Sequence, residues 1–273
     1  MRLRDELLAL TGPMRIATWN INGIKARFDS LGHWLREASP DVVCLQEVKS
    51  QEETFPRAPI EALGYNVEVV GQKGFNGVAI LSKHKLEDVR RGLPGDDGDA
   101  QARFLEGVVS APAGIVRVAC AYMPNGNPIG TEKFAYKLAW HERLEDWARD
   151  RLALEEPLVL AGDFNVIPTP IDAKRPQAWA NDALYQPEAR QAFRRLAALG
   201  LTDAVRAVDD GPGRYTFWDY QAGCWQKDDG IRIDHLMLSP EAADRLRSAG
   251  IDRHTRAWEK PSDHVPVWIE LAD

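Results

Sequence analysis

Residues 158–166 read LVLAGDFNV, in which an apolar run is followed by an acid and an amide two positions apart. The apolar part predicts a buried β-strand over 158–164, with Asp163 and Asn165 at its carboxyl end. Polar side chains stand at the ends of other predicted strands in the same way. We call these residues at the strand ends the polar tips, and strands that hold such residues rigidly are a common scaffold for a site. The other tips are Asn20 and Asn22, Glu47, Asp234, and Asp263 with His264.

Further β-rich runs, several of them bounded by Gly or Pro, predict strands on both sides of this one. Helices are predicted over 28–38, 131–154 and 188–198, and the second repeats apolar residues at near-helical spacing. Several strands follow one another directly, so the pattern favours an α/β fold of mixed layers over a strict βαβ alternation. The other predicted strands are 14–21, 41–48, 65–71, 77–83, 104–111, 115–123, 232–239 and 264–271.

The chain of 273 residues contains no repeat, low-complexity tract or clear linker. We therefore expect a single domain over residues 14–273, preceded by an extension over residues 1–13. Two stretches, 92–102 and 166–187, have the composition of loops long enough to carry function.

Composition and charge restrict the class of protein. No apolar run approaches the roughly 18 residues that a membrane-spanning helix needs, and residues 1–13 lack the features of a secretory signal. Three widely spaced cysteines without metal spacing favour the reducing cytoplasm. The net charge of −7 does not indicate a polyanion partner, so a nucleic-acid surface has to be a local basic patch. No feature demands a partner chain, and we expect a monomer.

The polar tips meet at one edge only if the last two strands run antiparallel to the first three. The tips carry carboxylates and amides with a single histidine, a set that favours Mg²⁺ or Mn²⁺ over zinc and suits phosphoryl chemistry. Taken singly, each residue has a simpler explanation. Asp163 with Asn165 is typical of a turn, Glu47 of a solvated strand end, and Asp263 of a cap. Their joint occurrence in this order favours a site.

At this point the motifs resemble those of a known family. TWNINGIKAR, CLQEVK, AYMPNG, GDFNV, RIDHLMLS and SDHVPV occur in the order that resembles the endonuclease/exonuclease/phosphatase superfamily. Finer matches resemble the exonuclease III type of abasic-site endonuclease, and the resemblance covers residues 14–271. It implies a four-layer α/β sandwich, in which two mixed, mainly antiparallel sheets pack face to face with helices outside. The finer matches are NINGIKAR (20–27), KFAYKLAW (133–140), WANDAL (179–184), YTFWDY (215–220) and EKPSDH (259–264).

The resemblance implies a role for each polar tip. Glu47 is the principal metal ligand, with Asn22 and Asp263 close to the same ion. Asp163 orients and deprotonates the attacking water, and Asn165 binds the scissile phosphate. The implied catalytic residues are Tyr122, Asp163, Asn165, Asp234 and His264, and the implied metal-site residues are Asn22, Glu47, Asp163, Asn165, Asp263 and His264.

The resemblance also implies an apolar pocket for a flipped abasic sugar. Phe217 and Trp218 match that pocket, and Ile231 and Ile233 stand where some members have tryptophan and leucine. Asn20 supports the network around Asp163 and is grouped with the substrate-binding residues. Candidates for phosphate contacts, with solvated surface charge as the alternative, are Lys25, Arg27, Lys49, Lys73 and Arg103.

We therefore expect a Mg²⁺-dependent DNA-repair nuclease, with Mn²⁺ able to substitute. It cleaves 5′ to abasic sites and removes nucleotides or blocking groups from the 3′ ends of duplex DNA. A phosphatase or phosphodiesterase acting on a non-DNA ester is the alternative within the superfamily. A catalytically silent DNA-binding or scaffold protein on the same fold is the alternative from another class. That alternative predicts a missing metal ligand or water-activating residue, yet Glu47, Asp163, Asn165, Asp263 and His264 are all present.

Overall fold

Two six-stranded β-sheets lie at the centre of the protein, in a computed structural model that describes residues 12–273. The first sheet contains, from edge to edge, β11 (Leu246–Ile251), β12 (Val267–Leu271), β1 (Met14–Asn20), β2 (Val42–Gln46), β4 (Val78–Ser82) and β3 (Asn66–Val70). The second contains β5 (Leu86–Arg91), β6 (Phe104–Ala111), β7 (Gly114–Tyr122), β8 (Leu158–Asp163), β10 (Asp234–Leu238) and β9 (Thr202–Asp203).

The two sheets pack face to face through a shared apolar core. Alternate residues such as Ile16 and Val42 of the first sheet meet Val118 and Val159 of the second in one buried cluster. This alternation follows from the strand geometry, which directs every second side chain to the same face.

Helices cover the outer face of each sheet. Leu31 and Trp34 of one helix pack on the first sheet, and Trp140 and Phe193 of two others pack on the second. The prediction of a four-layer α/β sandwich is therefore confirmed. The α-helices are α1 (Phe28–Ala38), α2 (Arg57–Glu61), α3 (Glu132–Leu152), α4 (Pro187–Ala198), α5 (Ala204–Val208) and α6 (Pro240–Ala243). Short 3₁₀ helices are Glu52–Thr54, Pro170–Asp172, Pro176–Trp179 and Arg253–Ala257.

Strand directions bring the polar tips to a common edge. β1 runs parallel to β2, and β7 runs parallel to β8, while the other neighbouring strands are antiparallel. β12 is antiparallel to β1, and β10 is antiparallel to β8, as the convergence of the tips requires. The amino ends of β10 and β12 thus lie beside the carboxyl ends of β8 and β1.

Three strands were not expected from the sequence, and all three lie at sheet edges: β5, β9 and β11. β5 has the sequence LEDVRR and is mostly exposed, so it lacks the apolar run that indicates a strand. Edge strands carry charges of this kind because charges oppose pairing with other chains.

Residues 1–11 of the predicted extension lie outside the described residues, and the single domain over 14–273 stays a prediction. Within residues 12–273, no helix combines the length and the apolar character needed to cross a membrane.

Candidate active site

Asn20 lies at the end of β1 and joins the two sheets. Its side chain is fully buried, and its Nδ2 donates to Glu47 Oε1 and to Asp163 Oδ2, each at 2.9 Å. Its Oδ1 accepts the backbone N–H of Asn22 at 3.1 Å. One amide thus holds together a carboxylate of the first sheet and one of the second. Its burial suits the supporting role that the resemblance implies better than direct contact with a substrate.

Asp163, His264 and Asp234 form a buried chain of polar contacts at the ends of β8 and β10. His264 Nδ1 lies 2.8 Å from Asp234 Oδ2, and His264 Nε2 lies 3.8 Å from Asp163 Oδ2. Thr216 Oγ1 donates to Asp234 Oδ2 at 2.6 Å and accepts the backbone N–H groups of Ile233 and Asp234. Asp234 therefore orients the imidazole so that Nε2 points towards Asp163.

The protonation states of His264 and Asp163 follow from their burial and from the charges around them. Burial alone would lower the pKa of His264, but the carboxylates of Asp234 and Asp163 outweigh burial and raise that pKa to about 10. Burial raises the pKa of Asp163 to about 7, which the charge of His264 opposes and the charge of Asp234 reinforces. At neutral pH the histidine is an imidazolium, and Asp163 is a carboxyl poised near the point of ionisation, where a general base is effective.

Glu47, Asn22 and Asp263 form the outer part of the site. Glu47 and Asn22 both have left-handed backbones, with φ values of 51° and 47°. Asn22 Nδ2 donates to Asp263 Oδ1 at 3.0 Å, and its Oδ1 accepts from Lys49 Nζ. Burial would raise the pKa of Glu47, but hydrogen bonds from Asn20 and Lys49 outweigh it and lower that pKa. Glu47 is therefore a carboxylate at neutral pH.

These outer residues fit a hard divalent cation. Lys49 Nζ lies 2.9 Å from Glu47 Oε2 and 2.5 Å from Asn22 Oδ1, so carboxylate and amide oxygens already converge on one cationic group. Such oxygens, with the neighbouring Asp263, are the ligands that Mg²⁺ prefers.

A second possible cation position is less suitable. Ligand atoms of Asp163, Asp234 and His264 lie within 4.8 Å of one another. However, the imidazolium of His264 already supplies positive charge between the two carboxylates, and its Nδ1 is engaged by Asp234. The roles of His264, Asp163 and Asn165 as metal ligands stay a prediction.

Asn165 follows β8 in a strained backbone conformation, with φ of 47°. Its backbone N–H donates to Asp163 Oδ1 at 2.9 Å, and its Nδ2 donates to the carbonyl of Met123 at 2.8 Å. Gly162 permits this approach, because a Cβ there would lie 1.8 Å from the carbonyl oxygen of Ala121. The ends of β7 and β8 therefore meet closely at the site.

Tyr122 ends β7 directly beside Asp163 in the sheet register. Burial and the charges of Glu47 and Asp163 raise the pKa of its phenol well above the ordinary value. Tyr122 thus remains a hydrogen-bond donor at neutral pH. Arg103 stacks on its ring, with the guanidinium 4.8 Å from the ring centre.

The predicted sugar pocket is only partly assembled as expected. Phe217, Ile231 and Ile233 pack in one apolar cluster, and the Phe217 ring lies edge-on to His264 at 5.0 Å. Trp218 belongs to a different cluster, has no exposed surface, and donates from Nε1 to Asp228. Trp218 is therefore enclosed, as are Ile231 and Ile233, whereas Phe217 is partly exposed, and substrate contact by these four residues stays a prediction.

The predicted phosphate-contacting residues fall into two groups. Lys25 and Lys73 are exposed. Lys49 and Arg103 are engaged inside the site, and Arg27 donates to the Asn22 carbonyl and to the Tyr220 hydroxyl. These last three residues are half-buried and already bonded within the site, and contact of any of the five with phosphate stays a prediction.

Several residues of the site were not foreseen from the sequence. Thr216 holds Asp234, and Ser262 Oγ donates to the Asn20 carbonyl at 2.7 Å and accepts the N–H of His264. Lys137 lies fully buried below Asn165. Thr216 lies within the motif YTFWDY, Lys137 within KFAYKLAW and Ser262 within EKPSDH. The motifs therefore indicated the right segments but not what these three side chains contact.

Comparison with known proteins agrees with this geometry. The profile of the Endonuclease/Exonuclease/phosphatase family matches residues 17–264, which include every polar tip of the site. This chain belongs to that family. The predictions of the superfamily and of a hydrolase that acts as a nuclease are confirmed. The family is typically metal-dependent.

Individual relatives extend over nearly the whole chain. Exodeoxyribonuclease III of Haemophilus influenzae is 34% identical over 266 residues, which cover 94% of this chain and 100% of the relative. An AP endonuclease from Archaeoglobus fulgidus is structurally similar, with a TM-score of 0.90 at 35% identity over 94% of this chain and 99% of that chain. The 3′ phosphatase NExo from Neisseria, bound to a product DNA hairpin, has a TM-score of 0.91 at 38% identity over 95% of this chain and 100% of that chain.

Proposed function

We propose that the protein is a Mg²⁺-dependent DNA-repair nuclease that cleaves the phosphodiester 5′ to abasic sites in duplex DNA. It also removes nucleotides or blocking groups from 3′ ends. The observation that carries the proposal is the buried Asp163–His264–Asp234 chain, joined through Asn20 to the more exposed Glu47. A base, a cationic donor and a set of hard oxygen ligands then lie side by side, as phosphodiester hydrolysis requires.

In this reaction Asp163 accepts a proton from the attacking water, the P–O3′ bond breaks, and the leaving 3′ oxygen takes up a proton from solvent, to which Asp163 later releases its own. Asn20 and the backbone N–H of Asn165 hold its two oxygens, so the carboxyl group keeps one orientation. The imidazolium of His264 donates from Nε2 to an oxygen of the scissile phosphate, and Asn165 and Tyr122 supply further donors. Negative charge that develops on the phosphate oxygens is thereby stabilised by fixed hydrogen-bond donors.

Glu47, Asn22 and Asp263 would hold the Mg²⁺ ion, with Mn²⁺ as a substitute. The ion would supply positive charge for a non-bridging phosphate oxygen and would offset the repulsion between the carboxylates. Lys49 would then move from its contact with Glu47, which its flexible side chain permits.

The DNA substrate is supported by two kinds of observation. The relatives include an AP endonuclease and a 3′ phosphatase bound to DNA. Phe217 is partly exposed beside His264 and is backed by the buried Ile231 and Ile233, so its ring offers an apolar surface for an unstacked deoxyribose. We further propose that residues 14–273 act as one catalytic domain, because both sheets share one core. We also propose a monomer in the cytoplasm, on the sequence features given above.

The test uses three labelled duplexes: one with a single internal abasic-site analogue, one with a 3′ phosphate at a nick, and one undamaged. Each is incubated with the wild type and with Glu47→Gln, in Mg²⁺ and in EDTA, and read on a denaturing gel. We expect one cut 5′ to the lesion and loss of the 3′ phosphate, both abolished by EDTA. The Gln variant should need a higher Mg²⁺ concentration, by about tenfold or more.

Intact abasic and 3′-phosphate duplexes would contradict the proposal. If another phosphate ester were then hydrolysed in a Mg²⁺-dependent way, the active-site assignment would stand and the substrate would be wrong. Cleavage that continued at full rate in EDTA would contradict the metal site.

A further inference from the structure

Lys137 is the most unusual charged residue near the site. It lies near the middle of α3 with 0% of its surface exposed, although lysine is almost never fully buried without a partner. Its Nζ donates to the backbone carbonyls of Asn165 at 2.6 Å and Asn125 at 3.0 Å. The hydrogen-bond partners of this lysine are therefore carbonyl oxygens of two segments that border the site.

The segment that contains Asn125 lies directly on the Lys137 side chain. Gly126 has a φ of +88°, and a Cβ there would lie 2.6 Å from Lys137 Cδ. A side chain at position 126 would push the segment away from the ammonium group. The glycine and the lysine therefore fit each other closely.

The same two segments are also joined by their own side chains. Asn125 Nδ2 donates to Asn165 Oδ1 at 3.3 Å, and Asn165 Nδ2 donates to the Met123 carbonyl at 2.8 Å. Lys137 Nζ adds a further connection between the segment after β7 and the segment after β8, because it donates to a carbonyl of each. Asn165 itself has a left-handed backbone, a conformation that asparagine tolerates better than most residues, and these contacts fix its orientation.

We propose that Lys137 is a positioning residue, which fixes the Asn165 amide and the Asn125 segment at the phosphate-binding end of the site. The proposal rests on the proposed function, because it assigns Asn165 to the phosphate. Lys137 itself does not touch the substrate, since its side chain has no exposed surface and its Nζ donates to the two carbonyls.

The first test is Lys137→Met, which keeps the length and apolar stem of the side chain and removes its donors. Incision of the abasic duplex should show kcat lower by about 10–100-fold, with KM changed by less than about threefold, because misplacement of a catalytic group affects rate more than binding. The control is Leu144→Ala, at a fully buried position of the same helix. It should lower the unfolding midpoint at least as much but leave kcat within about twofold.

A double-mutant cycle separates positioning from general damage to the fold. If Lys137 acts through Asn165, then Lys137→Met should change kcat by less than about twofold in an Asn165→Ala background. A full, independent loss of rate in that background would overturn the proposal. So would a wild-type kcat in the single variant. Should Lys137→Met fail to fold, Lys137→Gln retains an amide donor for one carbonyl and should show a smaller loss of kcat.

A measurement without substrate distinguishes this proposal from the proposed function. Hydrogen exchange of the peptide 163–168 should be faster in Lys137→Met than in both the wild type and the equally destabilised Leu144→Ala. Faster exchange in a protein that cuts no DNA would support the positioning role and contradict the function. Unchanged exchange together with wild-type kcat, in a protein that cuts DNA, would contradict the positioning role alone.

Discussion

The pairing of His264 with Asp234 makes the stability of this protein depend on pH in a specific way. Asp234→Asn keeps the shape of the side chain and its contact with Thr216 but removes the charge 2.8 Å from His264 Nδ1. In the wild type the pKa of His264 is raised to about 10. Without the Asp234 charge, burial should bring that pKa back towards its ordinary value near 6.5.

The expected size follows from proton linkage. The folded-state pKa of His264 is raised, so its stabilising contribution is fully present below pH 6.5 and is lost as the pH rises towards 10. The contribution of this group to the free energy of unfolding should fall by about 1.4 kcal/mol per pH unit well below pH 10, and by roughly 2 kcal/mol in total between pH 8 and pH 10, because the slope is halved at the pKa itself. Asp163, with a pKa of about 7, is ionised throughout that range and adds little slope. Burial lowers the pKa of Lys137 to about 7, which gives a slope of opposite sign over the same range, so the His264 contribution is read from the difference between wild type and Asp234→Asn.

Urea unfolding, followed by tryptophan fluorescence, measures the free energy of unfolding at pH 7, 8, 9 and 10. EDTA is present so that no divalent cation binds the carboxylates. The difference in free energy of unfolding between wild type and Asp234→Asn should be largest at pH 7 and shrink towards pH 10. His264→Gln should differ from the wild type with the same dependence on pH. Curves for wild type and Asp234→Asn that stay parallel from pH 8 to pH 10 would refute the assignment of an imidazolium to His264.

Three further predictions concern single side chains. Asp163→Asn should lower kcat by about 10²–10⁴-fold while DNA affinity, measured by fluorescence anisotropy, changes little, because the shape remains and the base is lost; near-normal turnover would show that another group is the base. Thr216→Val should lower the free energy of unfolding by about 2–4 kcal/mol, because Asp234 loses a donor and two buried amides lose their acceptor, with Thr216→Ser unchanged as the control. Arg232→Met should cost about 2–3 kcal/mol at pH 7, because it removes one of the two guanidinium groups that pair with the buried Asp172, leaving Arg206, and also removes the ion pair with Asp203. Burial would raise the pKa of Asp172, but its contacts, with Arg232 first, outweigh burial and lower that pKa. The difference in free energy of unfolding between wild type and Arg232→Met should therefore be largest above about pH 4 and become smaller as the pH falls below it. A difference that grows in acid would contradict the ion pair between Arg232 and Asp172.

Central strands could be predicted because they are buried on both faces and read as apolar runs. β2 and β8 are buried throughout, and the sequence indicated both. The edge strands β5 and β11 carry charged or exposed residues, and their pairing depends on neighbours that are distant in the chain. Local patterns do not contain that information.

The apolar pocket shows a second limit of prediction from the sequence. Phe217 and Trp218 are adjacent in an extended segment, so their side chains point to opposite sides. Ile231 and Ile233 are two residues apart and share a side, and the structure packs both with Phe217. A motif that names neighbouring aromatic residues does not say which of them faces the site.

The sequence by itself determined the layered α/β class and the identity of the polar tips, because apolar runs end where acids and amides begin and these patterns are local. The tertiary structure alone decided how the tips are coupled. Asn20 meets Asp163 across 143 positions of sequence, and His264 meets Asp234 across 30. It also decided that Lys137 is buried under the site. Burial and charge coupling arise only when distant strands and helices pack together, and they set the pKa values on which the chemistry depends.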